Sequence, residues 1–299
     1  ISRLIHELQR ERGLSSGVIA SRGERFGDML VAQQKLTDAS LGELQSIVRQ
    51  HVTDQAIHGG VAAVADRLQG LRQRISNREI SRDYTVDRYT ELVDALFDMQ
   101  LSTFGNAVKS SLFRKQMAFV AFSQAKETAG KERALLSAIL SDHNFSAGRM
   151  LILNNLRATE QARLVNFTRL AEPDAERQYR EILQQPDIKE AERIRQKVKA
   201  AALWEEAHGR GSASTVLSVA LPSPEAWFQV ASIKIDAMKV LEDSLNEAVG
   251  ISAEQEESRA WQELLLSALL VLFAFVLAGI LVRQIQTGRR VAEQQLNLA

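Results

Sequence analysis

Apolar residues recur every three or four positions through most of the first 257 residues, and this spacing predicts amphipathic α-helices. In the first 21 residues the apolar positions are Leu4, Ile5, Leu8, Leu14, Val18 and Ile19. The same spacing predicts further helices at about 24–50, 61–76, from 84 to 100, 101–126, around 130–140, 145–170, 174–185, 187–207 and 225–257. Breaks are expected at Gly23, at residues 58–60, near Gly105, at Pro173 and Pro186, and in a Gly- and Ser-rich loop at 208–224.

The composition favours an all-α fold over any β architecture. Only 16 Gly and 4 Pro occur in 299 residues, and a β-sandwich or barrel needs turn residues about every 8–12 positions. The number and length of the helices favour two stacked up-and-down four-helix bundles.

One segment departs from the average composition. Residues 264–282 read LLLSALLVLFAFVLAGILV, an uncharged run whose only polar side chain is Ser267. At about 1.5 Å rise per residue, such a run nearly crosses a hydrocarbon core of about 30 Å. We therefore predict one transmembrane helix after the bundles.

The charges on the two sides of this run predict its orientation. The upstream side is acidic, and the downstream side carries Arg283, Arg289 and Arg290. Because positive residues prefer the cytoplasm, we expect residues before about 260 to be periplasmic or extracellular and the C-terminal end to be cytoplasmic. The expected parts are an extracytoplasmic helical domain (1–257), a transmembrane helix with interfacial flanks (258–283) and a short cytoplasmic helix (284–299).

The charge balance and the motifs exclude several functions. The chain has 37 Lys and Arg against 37 Asp and Glu, which argues against a broad nucleic-acid surface. It has no Cys, and none of its five His has a second His at a metal-binding spacing. No phosphate-binding, dinucleotide-binding or nucleophile motif is present. We expect no catalytic residue, no metal site, no cofactor and no enzymatic activity.

Three cations interrupt apolar helical stripes. Arg12 follows Leu4 and Leu8 at intervals of four, Arg133 precedes Leu136, and Lys234 lies on a seam with Met238. A buried cation without a partner costs several kcal/mol, so each needs a carboxylate, a helix C-terminus or an anion.

Two interpretations of these cations remain open. Each side chain either reaches solvent or pairs with a nearby Glu, or the three converge on a small anion pocket between helices. Guanidinium groups suit a planar oxyanion because two parallel N–H donors match two coplanar oxygens, and Ser15 would add a hydroxyl donor. Glu11 beside Arg12 would then have to point away or pair with another cation.

Four stretches resemble the nitrate- and nitrite-sensing (NIT) family. They are LIHELQRERGLS at 4–15, YTELV at 89–93, KERALL at 131–136, and WF at 227–228 followed by IKID at 233–236. The resemblance implies two four-helix bundles whose arginines contact nitrate or nitrite. By motif, Arg12 and Arg133 become ligand residues. Lys234 occupies a last-helix position at which similar sequences often have Arg.

The resemblance also implies a bacterial inner-membrane receptor in which a HAMP-type linker follows the span, at 284–299. Its output would be a methyl-accepting chemotaxis module, or alternatively a histidine kinase or a cyclic-dinucleotide enzyme. We expect a homodimer whose partners are a small oxyanion and the membrane. Two other hypotheses remain: a ligand-free helical interaction domain, and a receptor for another anion such as an organic carboxylate.

Overall fold

A computed structural model describes residues 1–20, 23–24, 26–102, 111–209 and 221–296 of the chain. In these ranges the regular structure is entirely helical, as the composition predicts. The helices are α1 (Ser2–Ala20), α2 (Gly27–His51), α3 (Gln55–Ser76), α4 (Arg82–Ser102), α5 (Ser111–Asp142), α6 (Ala147–Leu170), α7 (Pro173–Gln184), α8 (Pro186–His208) and α9 (Pro224–Leu296).

Helix starts follow local capping chemistry. The Asp54 side chain accepts a hydrogen bond from the Ala56 amide at 2.8 Å and so begins α3 ahead of the Gly pair at 59–60. The break expected at residues 58–60 is therefore wrong, because the helix is already established there and tolerates both glycines. Pro173, Pro186 and Pro224 each begin a helix, where the missing amide hydrogen costs nothing.

The separation predicted between the helices at 101–126 and around 130–140 is absent, because Gly130 lies inside α5, a single helix of 32 residues. The break near Gly105, and residues 210–220 of the predicted loop, fall outside the described residues.

The first four helices form one bundle. Helix α1 packs against α2 and α4, and α3 packs against the same two helices. Their buried apolar stripes fill the centre of the bundle, with Leu4, Leu8, Leu68, Leu92 and Leu96 fully buried. This core removes the period-3.6 apolar faces from water, which is the main stabilising contribution in such a bundle.

The second bundle consists of α5, α6, α8 and α9. Its core surrounds Trp227 and includes Leu136, Ile139, Leu153, Ile194 and Val198. The short α7 packs on α8, and its Tyr179 ring meets Phe122 and Phe167 edge-on at centroid distances of 5.9 and 5.7 Å. Helix α1 also contacts α5, which joins the two bundles.

The structure divides the chain into two units, Ile1–Asn246 and Glu247–Ala299. The first unit ends ahead of the domain boundary expected at 257. Within the described residues one helix meets the length and hydropathy of a membrane span, and it contains the apolar run at 264–282. An 18-residue window in Pro224–Arg283 has a mean hydropathy of 3.0, and none of this window is buried.

Candidate anion-binding site

Arg12 lies on the buried face of α1, one turn after Leu8, and is 7% exposed. Its guanidinium donates to both carboxylate oxygens of Glu127 on α5, with Nη1–Oε1 at 2.5 Å and Nη2–Oε2 at 3.0 Å. Nη1 also donates to the Thr90 hydroxyl on α4 at 3.1 Å. One side chain therefore connects three helices, and its charge already has a carboxylate partner.

Glu127 is the acidic centre of this region and is 2% exposed. Burial alone would raise the pKa of its carboxyl group. The Arg12 guanidinium and the Lys131 ammonium, 3.5 Å from Oε1, outweigh burial and lower the pKa of Glu127. The carboxylate is therefore ionised at neutral pH and holds two cations at once.

Arg133, also on α5, has a different environment. Its Nη1 donates to the Ser232 hydroxyl on α9 at 2.8 Å, and its guanidinium lies over the Phe228 ring, 4.6 Å from the centroid. Burial lowers the pKa of Arg133, Asp236 raises it and Arg12 lowers it further. Among the described residues no carboxylate oxygen lies within 4.0 Å of this guanidinium. Arg133 is thus a partly buried cation whose direct contacts are neutral groups, and it is close enough to Arg12 for the two charges to repel each other.

Further charged groups surround this pair. Arg163 on α6 donates to the Gln124 carbonyl at 2.8 Å and the Thr128 hydroxyl at 2.5 Å, and burial lowers its pKa. Seven charged groups, each of which interacts electrostatically with at least one other of the seven, form what we call the junction cluster: Arg12, Lys131, Arg133, Arg163, Asp94, Glu127 and Asp236. It contains four cations and three carboxylates, so one positive charge is in excess.

Lys234 does not join Arg12 and Arg133. Its ammonium pairs with the Glu160 carboxylate on α6, and both residues are buried. On a helix with about 100° per residue, Lys234 points away from Ser232, which faces Arg133. Lys234 instead lines a separate cleft that neither arginine lines. The sequence correctly placed Lys234 on a buried seam, but the expectation that all three cations converge is wrong in this structure.

Ser15 is buried beside the junction cluster, with its hydroxyl already engaged by the Tyr89 hydroxyl at 3.2 Å. Tyr89 also donates to Glu11 at 2.8 Å, and Glu11 accepts two hydrogen bonds from Arg72 at 2.7 and 2.8 Å. Glu11 therefore pairs with another cation, one of the two arrangements that an anion site beside Arg12 requires.

Sequence reasoning missed Glu127 and Arg163. Glu127 precedes Lys131 by four residues, which is the spacing of an ordinary helical surface pair, so nothing along the chain indicated its burial. Nothing along the chain distinguishes Arg163 from the other arginines of α6, and its approach to Thr128 depends on how α5 and α6 pack.

Comparisons with known proteins agree with this architecture. The family model "Nitrate and nitrite sensing" (NIT) matches residues 3–250. The "Nitrate regulatory protein" of Klebsiella oxytoca is 26% identical over 140 residues, which cover 45% of this chain and 35% of that protein. The solved structure of the NasR transcription antiterminator superposes with a TM-score of 0.68 at 21% identity, covering 85% of this chain and 66% of that one.

The structural likeness to NasR concerns the fold, and this chain spans about a third of the length of the curated relative. The family model, in contrast, matches most of the chain, from the first helix to the last helix of the second bundle. The chain therefore belongs to the nitrate- and nitrite-sensing (NIT) family.

Proposed function

We propose that the junction cluster binds nitrate or nitrite and that Arg133 and Arg12 are its principal ligand residues. The observation that carries the proposal is Arg133 itself, a partly buried guanidinium with a hydroxyl and an aromatic ring as neighbours and, among the described residues, no carboxylate oxygen within 4.0 Å. A monovalent anion would neutralise the one positive charge by which the cluster's cations exceed its carboxylates. Family membership supports the choice of nitrate or nitrite among small anions.

A planar oxyanion matches the donors that are present. Two coplanar oxygens accept two N–H groups of one guanidinium, and a third atom remains available to Arg12 or to a hydroxyl. Arg12 is held by Glu127 in this structure, so the anion would either contact Arg133 alone or draw Arg12 partly away from Glu127. In the second case α1 shifts relative to α5. The free energy that drives this shift is limited by the difference in anion affinity between the two arrangements.

Helix α9 provides a route for the signal. Ser232 and Phe228 on α9 both contact Arg133, and the same helix contains the candidate membrane span. An anion that reorients Arg133 therefore changes contacts on α9. We propose a non-enzymatic inner-membrane receptor, with the sensor outside the cytoplasm, that passes this change to a cytoplasmic module.

The cytoplasmic module and the assembly are also proposals. For the output we propose a methyl-accepting chemotaxis module, with a histidine kinase or a cyclic-dinucleotide enzyme as alternatives. A HAMP-type linker would connect the span to this module, and the receptor would be a homodimer. The relatives are titled a nitrate regulatory protein and a transcription antiterminator, and a shared fold does not by itself determine the output.

A ligand-free interaction domain is the second candidate, and one observation favours it. Arg12 and Lys234 each have a carboxylate of their own, as a purely structural role would require. Under this candidate Arg133 would only connect α5 to α9 through Ser232 and Phe228, so the effect of Arg133 on anion binding decides between the two.

The test is a calorimetric titration of the chain in lipid nanodiscs with nitrate and nitrite, and with chloride for comparison. We expect Arg133→Ala to weaken binding roughly ten- to hundredfold, since a charged hydrogen bond contributes about 1.5–3 kcal/mol, and Arg133→Lys to restore part of it. Arg193→Ala on the exposed face of α8 is the matched control and should bind as the unmodified chain does. Equal binding by the Arg133→Ala and Arg193→Ala variants, or no binding by the unmodified chain, would contradict the proposal.

A further inference from the structure

The cleft that contains Lys234 lies in the first unit, and its lining includes no residue of the junction cluster. Its volume is about 690 Å³, within the range of small-molecule sites. Helices α6, α7, α8 and α9 all contribute to its lining. One part of its wall is apolar, formed by Leu164, Val165, Leu183 and Ile188, and the rest is charged or polar.

Tyr179 lines this cleft and is 8% exposed. Its ring is fixed edge-on by Phe122 and Phe167. Its hydroxyl has no hydrogen-bond partner among the residues that the structure describes. Burial, and to a smaller extent the nearby Glu160, raise the pKa of Tyr179 to about 12, so the hydroxyl keeps its proton at neutral pH. The hydroxyl is therefore free to donate a hydrogen bond to a ligand in the cleft.

The charges of the lining leave one cation without a carboxylate. Lys234 pairs with Glu160, and Arg157 pairs with Glu192. The remaining lining arginine, Arg195, donates to both oxygens of Glu132 at 2.7 and 2.6 Å. Lys189 alone has no ion pair within the described part of the chain. The cleft therefore combines an excess positive charge with an apolar wall.

We propose that this cleft binds a small organic carboxylate with an apolar body, as a second ligand site beyond the nitrate site. The carboxylate would accept hydrogen bonds from the Lys189 ammonium and the Tyr179 hydroxyl, while the body packs on Val165, Leu183 and Ile188. Nitrate lacks an apolar part and would leave that wall in contact with water. The chemistry of the lining thus separates the two anion classes.

The experiment titrates the chain in lipid nanodiscs with benzoate and hexanoate, and with benzamide as the uncharged match to benzoate. The variants are Tyr179→Phe, which keeps the ring packing, and Lys189→Gln. The control is Lys199→Gln, an exposed lysine on the same helix outside the cleft. Nitrate is titrated against every variant, and circular dichroism with thermal melting establishes that each one is folded.

We expect benzoate or hexanoate to bind, benzamide to bind more weakly, and Tyr179→Phe and Lys189→Gln each to weaken carboxylate binding roughly tenfold. Lys199→Gln should leave it unchanged, and none of the three variants should alter nitrate binding.

Failure of both carboxylates to bind overturns the inference, as does an equal effect of Lys189→Gln and Lys199→Gln. If Tyr179→Phe prevents folding, Lys189→Gln at its exposed position still decides. Loss of nitrate binding in the cleft variants would assign the cleft to nitrate and overturn this inference, whereas the Arg133 variants test the junction cluster independently.

Discussion

Glu127 on α5 accepts two hydrogen bonds from the guanidinium of Arg12 on α1, and this buried pair joins the two four-helix bundles. The pair matters because each partner would be costly alone. Replacing a buried ion pair by apolar residues is often neutral, whereas removing one partner leaves an uncompensated charge. An anion that competes with Glu127 for Arg12 would therefore weaken the contact between the two bundles.

Glu127→Gln tests whether Arg12 binds the anion in competition with Glu127. We expect a loss of about 3–5 kcal/mol in the free energy of unfolding, because Arg12 would be buried beside a neutral amide. Added nitrate should restore more stability in this variant than in the unmodified chain, since the oxyanion takes the vacated position. Urea unfolding with and without nitrate measures both effects.

Glu132→Gln is the matched control for that experiment. It removes the carboxylate that holds Arg195 in the second bundle, a pair with similar burial and geometry. Arg195 keeps Glu192 as a carboxylate neighbour at 3.4 Å, so nitrate should stabilise this variant only as much as the unmodified chain. An equal nitrate effect in the two variants would separate Arg12 from anion binding.

Asp236→Asn should strengthen nitrate binding. Asp236 is the carboxylate that raises the pKa of Arg133, so its removal makes the potential at the guanidinium more positive. We expect a decrease of a few-fold in the dissociation constant, measured by calorimetry at low ionic strength. Asp243→Asn on the same helix, whose carboxylate pairs with Lys239, should have no such effect. Weaker nitrate binding in the Asp236→Asn variant would show that the anion does not meet Arg133.

The helices and their buried faces were predictable because a period of 3.6 residues is a local property of the sequence. The stripe Leu4, Leu8, Arg12 placed a cation in the core, and the structure buries it there. The pairing of that cation was not predictable. Glu127 is 115 positions away, and only the packing of α1 on α5 brings its carboxylate to the guanidinium.

Lys234 is a second residue whose burial was predictable from the sequence and whose partner was not. Its position on a buried seam is a property of α9 alone, but the direction of that seam depends on where α5 and α6 lie around the helix. Ser232 faces Arg133 while Lys234 faces Glu160, so two residues of one helix serve different sites. A stripe therefore predicts burial and does not predict which cations meet.

Arg72→Ala should destabilise the first bundle through Glu11. Glu11 is fully buried, and Arg72 supplies two of its hydrogen bonds, while Tyr89 supplies one. Without the guanidinium the carboxylate is left with one neutral donor, and we expect a loss of about 3 kcal/mol in the free energy of unfolding. Adding Glu11→Gln should recover part of this loss, and urea unfolding of the single and double variants measures the coupling. Additive losses would show that the pair contributes no interaction energy.

His6 should make the chain sensitive to acid. Burial, together with Lys126, Lys239 and Arg10, lowers the pKa of His6 to about 4, and only Glu7 opposes them. In the unfolded chain His6 has a pKa near 6.5, so between pH 6.5 and 4 it binds a proton there but stays neutral in the folded chain. The contribution of His6 should therefore leave stability unaffected above pH 6.5, lower it as the pH decreases from about 6.5 to 4, and stay constant below that range. The loss attributable to His6 is roughly 2 kcal/mol, because its side chain is only partly buried.

His6→Gln removes this titration and should flatten the stability profile between pH 6.5 and 4. His51→Gln is the control, because His51 is exposed at the end of α2. Urea unfolding at pH 7, 5.5 and 4 distinguishes the variants, since carboxylate titrations are common to all three chains and cancel in the comparison. If His6→Gln loses as much stability as the unmodified chain over this range, the acid sensitivity originates elsewhere, and the lysines around His6 do not oppose its protonation.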